Sequence, residues 1–518
     1  MTPVEIRHFH LFCGLGGGAR GFNRGEARLE RLVARFRCLG GVDCSPGAVA
    51  DFGRLAGVPG TVLDLFSREQ YAAFHGHEPP ADWREASPED IRLAASNERP
   101  HIVFTSPPCK GFSGLLSEAR SRGDKYQALN HLTLRGVWLA LEAWRDDPPE
   151  FFLLENVPRI QNRGRVLLDR IVALLRAHGY TTAETTHDCG ELGNLAQSRK
   201  RFLLVARHVE RVPPFLYQPA TRPLRGVGDV IGRLPFPGDP SAGPMHRIPA
   251  LQWRTWVRLA FVEAGSDWRS LNRLAVESGV LRNYLIVPEY HRGYLGVTPW
   301  TGTSGTVTSR GAPCNGKFAV ADPRVDGHAK SVQLGVRSVT DWETPLFTVT
   351  GSQQGASGAL AVADPRSGLD RARGDHYLTA GHYGVTPWDV PAHAVAGRTR
   401  HDSGYGNVAD PRPLPAAADR LVAIIRALDG TWHRPFTTLD LAALQGLVDP
   451  EEHLELEGLS DSAWRERIGN AVPAPAAQAI AGVMGRALLG AWNGESLRLT
   501  DEPVWVRPVA VAIAVRPA

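Results

Sequence analysis

Phe9-His10-Leu11-Phe12-Cys13-Gly14-Leu15-Gly16-Gly17-Gly18-Ala19-Arg20-Gly21-Phe22 decides the fold. The apolar run Phe9 to Phe12 reads as a short strand, followed by a glycine-rich turn and a helix start. Such a turn after a first strand is how doubly wound α/β sheets bind nucleotide-like ligands. The glycines are not spaced Gly-x-Gly-x-x-Gly and no Gly-Lys-Ser/Thr follows, so a phosphate cradle is not the reading. They let the backbone approach a ligand closely instead.

The same architecture recurs outward from this stretch. Arg37 to Val42 reads as a second strand closed by Asp43. Asp43 is either a partner for ribose hydroxyls or part of the helix start Asp43-Cys44-Ser45-Pro46. Thr61 to Leu63 is a third strand closed by Asp64, an acceptor for an adenine amine or a cap. Ser87-Pro88-Glu89-Asp90 opens a short helix. Ile102-Val103-Phe104 is a buried fourth strand running into Thr105-Ser106-Pro107-Pro108-Cys109-Lys110-Gly111-Phe112-Ser113. The prolines stop the strand and stiffen the turn. Cys109 at its mouth is either a rigidly held nucleophile or a small buried hydrophobe. Leu115 to Asn130 is polar and reads as a mobile loop over the site, with a helix from His131 to Trp144. Phe151 to Leu154 is another buried strand, ending in Glu155-Asn156-Val157-Pro158. Parallel sheets carry their chemistry at the carboxyl ends of strands, so Cys109 and Glu155 are expected on one edge. Leu167 to Ala177 is an amphipathic helix stopped by Gly179. Gln197-Ser198-Arg199-Lys200-Arg201 leads into a strand from Phe202 to Ala206, and Arg199 and Arg201 share a face if that strand begins early.

Composition sets outer limits. The 518 residues suffice for two domains, and 43% hydrophobic with 22% charged residues is ordinary for a soluble globular chain. Met1 to His10 has no signal-peptide core, and the apolar run Val509 to Val515 is too short to span a bilayer, so a cytoplasmic protein without membrane attachment is expected. Six cysteines without a Cys-x-x-Cys pair make neither a disulfide framework nor a structural zinc site, and no metal is expected. Nearly all the basic charge is arginine, which suits phosphate and guanine recognition. It is concentrated mid-chain: Leu216–Thr431 holds 23 Lys+Arg against 18 Asp+Glu.

That middle region is repetitive. Trp300, Trp342, Trp388 and Trp432 are 42, 46 and 44 residues apart. Six places after them stand Thr306, Thr348, Ala394 and Thr438, and Pro345, Pro391 and Pro435 follow three of them by three. Asp322, Asp364 and Asp410, each within Ala-Asp-Pro-Arg, lie 22 after their Trp; the fourth copy shortens to Asp449-Pro450. One supersecondary unit is used several times. Val/Thr content, as in Leu346 to Thr350, suggests β-hairpins, with the tryptophans packing in a core rather than stacking on bases. Leu421 to Leu428 is helical, Phe436 to Gly446 is extended then helical, a helix runs from Ile468-Gly469-Asn470-Ala471-Val472-Pro473 to about Leu489, and the tail from Thr500 reads as an edge strand.

In order, these landmarks resemble the cytosine-C5 DNA methyltransferase family: Phe12 to Gly17 looks like its cofactor loop, and Pro108-Cys109 with Phe112-Ser113 like its nucleophile motif. Glu155-Asn156-Val157 looks like its Glu-Asn-Val, and Gln197, Arg199 and Arg201 like its Gln-x-Arg-x-Arg. Arg434 to Gly446 resembles the segment closing its target-recognition region, and Gly469 to Pro473 its final motif. The resemblance implies a doubly wound, Rossmann-like methyltransferase sheet with a second, smaller β-rich domain. Residues 1–211 would be the catalytic domain, completed by a helix at 465–490. Residues 212–432 would be the target-recognition domain, 433–464 a return segment and 491–518 a tail. It further implies S-adenosylmethionine as methyl donor, held by Phe12, Gly14, Leu15, Gly16, Gly17, Asp43, Asp64, Pro108, Asn470 and Val472. Catalysis would fall to Cys109, Glu155, Arg199, Arg201 and Asn156. The thiolate of Cys109 would add to C6 of a flipped cytosine. Glu155 would act near N3, Arg199 and Arg201 on the base carbonyl and the thiol, and Asn156 on neighbouring backbone. The partner implied is double-stranded DNA, as in restriction–modification or phage self-protection, read by a monomer without an obligatory protein partner. Lys110 stands where many relatives carry glutamine. An RNA cytosine methyltransferase and a catalytically idle DNA-binding homologue are the alternatives. The large middle region speaks against the first, and the intact Cys109, Glu155 and Arg199 against the second.

Overall fold

The computed structural model describes residues 1–108, 124–247, 251, 253–274, 380–395, 397, 399–412 and 431–494, with six short strand segments between 276 and 362. Cys109 and the readings placed on residues 109–123, on Trp300 and Trp342, on Leu346 to Thr350, on Leu421 to Leu428 and on the tail lie outside the described residues. The chain forms two units. The first comprises Met1–Arg247, Asp389–Thr399 and Thr437–Ala518, and the second Ile248–Trp388 and Arg400–Phe436.

One mixed sheet organises the first unit. Its strands are β1 (Thr2–Leu11), β2 (Glu26–Leu29), β3 (Leu32–Asp43), β4 (Thr61–Val62), β5 (Ile102–Thr105), β6 (Phe151–Asn156), β7 (Tyr180–Asp188) and β8 (Lys200–His208). They lie in the order β2-β3-β1-β5-β6-β8-β7, with β4 on the end of β3. The strands β4, β3, β1, β5 and β6 pair in parallel. β8 runs antiparallel to both β6 and β7. The hairpin strand β2 and the edge strand β7 are additions to the expected set; β7 is mostly polar and half-exposed, which hides it from an apolar search.

Helices cover both faces, as a sheet with two apolar faces requires. On one side α5 (Asp124–Ala143) and α6 (Arg165–Ala177) pack Leu132, Val137, Leu168 and Ile171 against Phe9, Val103, Phe152 and Leu204. On the other, α1 (Gly17–Asn23) and the C-terminal helix α9 (Ala474–Trp492) pack Phe22, Ala477, Ile480 and Met484 against Ile6, Phe104, Leu153 and Leu203. Between the layers, Asn23 accepts from His8 at 3.1 Å, and His8 and His10 share a hydrogen bond of 2.8 Å. Burial holds both rings below the usual imidazole range, so this is a neutral buried pair. α2 (Pro46–Ala56) and α4 (Pro88–Ala94) start where expected, capped by Ser45 and Ser87. α5 begins at Asp124, so Asp124 to Asn130 is helical and not part of a loop. Among the described residues no helix is long and apolar enough to cross a membrane.

The first unit runs past the expected boundary at 211 because the following chain adheres to it. Arg222 and Arg225 donate backbone N–H groups to Glu191 and Leu195, and Val227 donates to Val390. Asp389–Thr399, read from sequence as recognition domain, thereby joins the first unit.

In the second unit, the repeats are parallel pairs and not hairpins. Val297–Pro299 pairs with Ala319–Ala321, Val339–Thr340 with Ala361–Val362, and Val385–Thr386 with Asn407–Asp410, all in parallel and all offset by 22 residues. Parallel partners need a crossover, so the Val-Thr strand cannot fold straight back on its successor. The third pair is extended by Trp432–Pro435, antiparallel to Asn407–Asp410. Asp410 is fully buried and binds Arg412 at 2.8 Å and Arg434 at 3.1 Å. The Arg412 guanidinium lies 5.3 Å from the ring centre of Trp388. Trp388 is thus half-buried beneath the arginine of its own Asp-Pro-Arg.

The contact between α1 and α9 tests the first unit. A Cβ on Gly21 would stand 2.2 Å from the Ala474 carbonyl oxygen, a backbone atom. Gly21→Ala is expected to cost about 1–3 kcal/mol, the usual range for overpacking. Urea denaturation measures this, and an unchanged midpoint contradicts the close approach.

Candidate active site

The strand ends are level. Val42, Leu11, Thr105, Leu154 and Leu204 form one row across β3, β1, β5, β6 and β8. The next residues of the four parallel strands are Asp43, Phe12, Ser106 and Glu155. Because β8 is antiparallel, its beginning lies beside the end of β6. Arg201, two before Leu203, therefore reaches the same edge as Glu155, which pairs with Leu203.

On the glycine-loop side, Phe12, Gly14 and Gly16 have φ of 51°, 52° and 95°. Asp43 Oδ2 accepts from Gly14 N at 3.0 Å, and Oδ1 accepts from Ser45 N at 2.9 Å. The carboxylate therefore fastens the loop and supports the α2 start, and keeps lone pairs for a further donor. Burial raises its pKa, partly offset by the N–H groups of Ser45 and Gly14. A Cβ on Gly14 would meet nothing within 4 Å, so the loop borders open space there. Gly17 differs: its Cβ would lie 2.3 Å from the Val472 carbonyl oxygen. Gly17 thus serves packing against the C-terminal segment. Leu15 and Val472 are buried, Asn470 is exposed and Pro108 half-buried. Asp64 accepts from Phe66 N at 2.9 Å and from Trp83 Nε1 at 3.4 Å. The ring of Phe12 lies where a Cβ on Gly136 would come within 2.8 Å.

At the other end of the edge, Glu155 is 8% exposed, and Arg201 Nε pairs with its Oε1 at 2.9 Å. Burial lifts the Glu155 carboxyl above its ordinary range, against the pull of Arg201 and Arg199. Asn156 donates from its amide to the Pro107 carbonyl at 3.4 Å and accepts from Val157 N at 2.8 Å. It connects the end of β6 to the proline turn after β5. Cys189 is buried nearby, its thiol pushed up to about 12 chiefly by burial, so it is no nucleophile. Opposite Arg201 on β7 stands His187, whose two ring nitrogens are buried without a hydrogen-bond partner; burial holds its pKa at about 4.

Arg199 has a different set of partners from Arg201. Its guanidinium, 2% exposed, donates to three carbonyls: Nη1 to Val395 at 2.8 Å, and Nη2 to Gly469 at 2.8 Å and Ala471 at 3.1 Å. Two of these belong to the last turn of α8 (Asp461–Asn470) and its cap residue, where backbone carbonyls lack helical partners. The residue that sets this geometry is Asp188, absent from the sequence reading. Its carboxylate accepts from Arg199 N at 2.7 Å, Gly190 N at 2.8 Å and Ser198 Oγ at 2.6 Å. The legible signal was an Asp before Cys189-Gly190, a helix-capping pattern.

The raised carboxyl of Glu155 fixes a sign. The folded chain binds that proton more readily than the unfolded chain, whose pKa is near 4.5. Stability is therefore lost as pH rises from about 4.5 through the raised folded value. Glu155→Gln cannot ionise and escapes this loss. Its melting temperature relative to the parent is expected to climb across that window and level off above it. A difference independent of pH between about 4 and about 8 contradicts the shift.

Comparison with known proteins bears on the same segment. No curated protein matches the chain. Among solved structures, it is similar to the Entamoeba histolytica methyltransferase EhMeth, with 12% identity over 93% of this chain and 98% of that one, at a TM-score of 0.47. It is similar to S. pombe Dnmt2 methyltransferase with 13% identity, 95% and 100% coverage and a TM-score of 0.42. It is also similar to a prophage-encoded protein of E. coli described as a DNA modification methyltransferase, with 13% identity, 93% and 99% coverage and a TM-score of 0.40. Residues 63–227, which span Glu155, Asn156, Arg199 and Arg201, match the family model of the C-5 cytosine-specific DNA methylases.

Proposed function

We propose that the protein transfers a methyl group from S-adenosylmethionine to C5 of a cytosine turned out of double-stranded DNA. The observation that carries this reading is the pairing of a buried Glu155, its carboxyl raised above the ordinary range by burial, with Arg201 on the sheet edge that also bears the Gly14–Asp43 turn. The cofactor side fits the donor: an open left-handed turn at Gly14 and carboxylates closing β3 and β4 match an adenosyl group's hydroxyl and amine donors. Bound there, S-adenosylmethionine supplies an electrophilic methyl on a sulfonium. The arginine excess of the middle region supports a polyanionic substrate.

The chain's own groups do the rest. The Cys109 thiolate forms a bond to C6, and the electron pair of the C5–C6 double bond moves toward the ring nitrogen and carbonyl. Glu155, whose hold on a proton burial strengthens, donates that proton at N3, and Arg201 steadies the carboxylate left behind. The resulting enamine makes C5 nucleophilic; C5 bonds to the methyl as the methyl–sulfur bond breaks, its electron pair staying on the departing thioether, and N3 returns its proton to the Glu155 carboxylate. Loss of the C5 proton to a base then restores the double bond and expels the Cys109 thiolate. Asn156 holds the proline turn that precedes Cys109.

Labelled methyl transfer to duplex DNA, with tRNA as the parallel substrate, tests this. Transfer to duplex DNA alone is expected, with Cys109→Ala inactive. Glu155→Gln is expected to be about 10²–10⁴-fold slower with cofactor binding retained. Methylation by Cys109→Ala, or transfer to tRNA only, contradicts the reading.

A further inference from the structure

Arg199 holds together two segments far apart in sequence. Val395 belongs to Asp389–Thr399, the stretch between the third repeat tryptophan, Trp388, and Arg400. That stretch docks through its main chain: Ala392 N donates to Ala196 O at 2.8 Å, Ser198 N to Ala392 O at 3.0 Å, and Val227 N to Val390 O at 3.0 Å. Gln197 Nε2 adds a 3.4 Å bond to His393 O. Gly469 and Ala471 belong to the segment whose next carbonyl, that of Val472, presses on Gly17 at the glycine loop. One buried guanidinium thus spans the repeat-derived segment and the backbone behind the loop.

We propose that Arg199 is a positioning residue that couples the repeat-derived segment 389–399 to the cofactor end of the site, so that ordering either favours ordering the other. Arginine has five donors and no acceptor in a rigid fork. If either segment withdraws, donors of a buried cation lose their acceptors. The side chain's grip on one segment therefore depends on the other being seated. Coupling of this kind is reciprocal: a ligand that tightens 469–472 must also tighten 389–399. The atoms of 389–399 that accept from Gln197, Ser198, Arg199 and Val227 and donate to Ala196 are main-chain.

The proposal rests on the methyltransferase reading only for its ligand. Hydrogen–deuterium exchange of the full chain, with and without saturating S-adenosylmethionine and without nucleic acid, tests it. Exchange in 12–19 is expected to slow, and the amides of 389–395 are expected to slow about fivefold or more, the low end of ordinary coupling. Slowing at 12–19 with none at 389–395 overturns the coupling alone; no slowing in either overturns the cofactor reading as well. In Arg199→Lys, a point charge that cannot span three carbonyls, slowing at 12–19 is expected to persist while that at 389–395 is lost. Persistence of both overturns the role of Arg199. If that variant does not fold, Ala392→Pro decides: without the N–H that meets Ala196, it is expected to bind S-adenosylmethionine about fivefold more weakly, and unchanged affinity overturns the proposal.

Discussion

Backbone-to-backbone approach between the first helix and the start of α9 is the constraint on which the first unit depends. Gly17 and Gly21 present bare Cα atoms to the carbonyls of Val472 and Ala474. That approach seats α9 over the sheet face bearing Ile6, Phe104 and Leu203. Without it the face would be open to water. The N-terminal strand and the C-terminal helix are thus parts of one core, and everything between them must return to the same place.

Much of this was legible. The buried strands at 102–105 and 151–156, and the caps at Ser45 and Ser87, carry local signals strong enough to survive packing. The edge on which Asp43, Phe12 and Glu155 lie followed from strand order in parallel sheets. What could not be read was long-range. That β8 runs against β6 has no local signature, although it is the reason an arginine at a strand's beginning meets a glutamate at another's end. The partners of Arg199 lie 196 to 272 positions away and are carbonyls, which every residue has. The glycine loop was half understood: Gly14 and Gly16 serve the turn, whereas Gly17 and Gly21 serve a helix that arrives hundreds of residues later. The Val/Thr strands suggested hairpins because residue content gives strand but not direction.

The site itself balances opposed charges in little water. Glu155 is pulled toward ionisation by Arg201 and away from it by burial, and burial prevails. Asp188 stays tied to main-chain donors on the turn that carries Arg199. Each arginine of the Gln-x-Arg-x-Arg run is therefore matched with its own set of oxygens. Exchanging their roles would require moving whole segments rather than one side chain.

The 22-residue offset shared by three parallel pairs bears on how such a chain could change over generations. The first two pairs are closed two-stranded ladders, each hydrogen-bonded only within itself among the described strands. Duplicating or deleting such a unit leaves every other ladder in register. A stretch built this way can be lengthened, shortened or diversified by recombination at unit borders, while the first unit keeps its alignment.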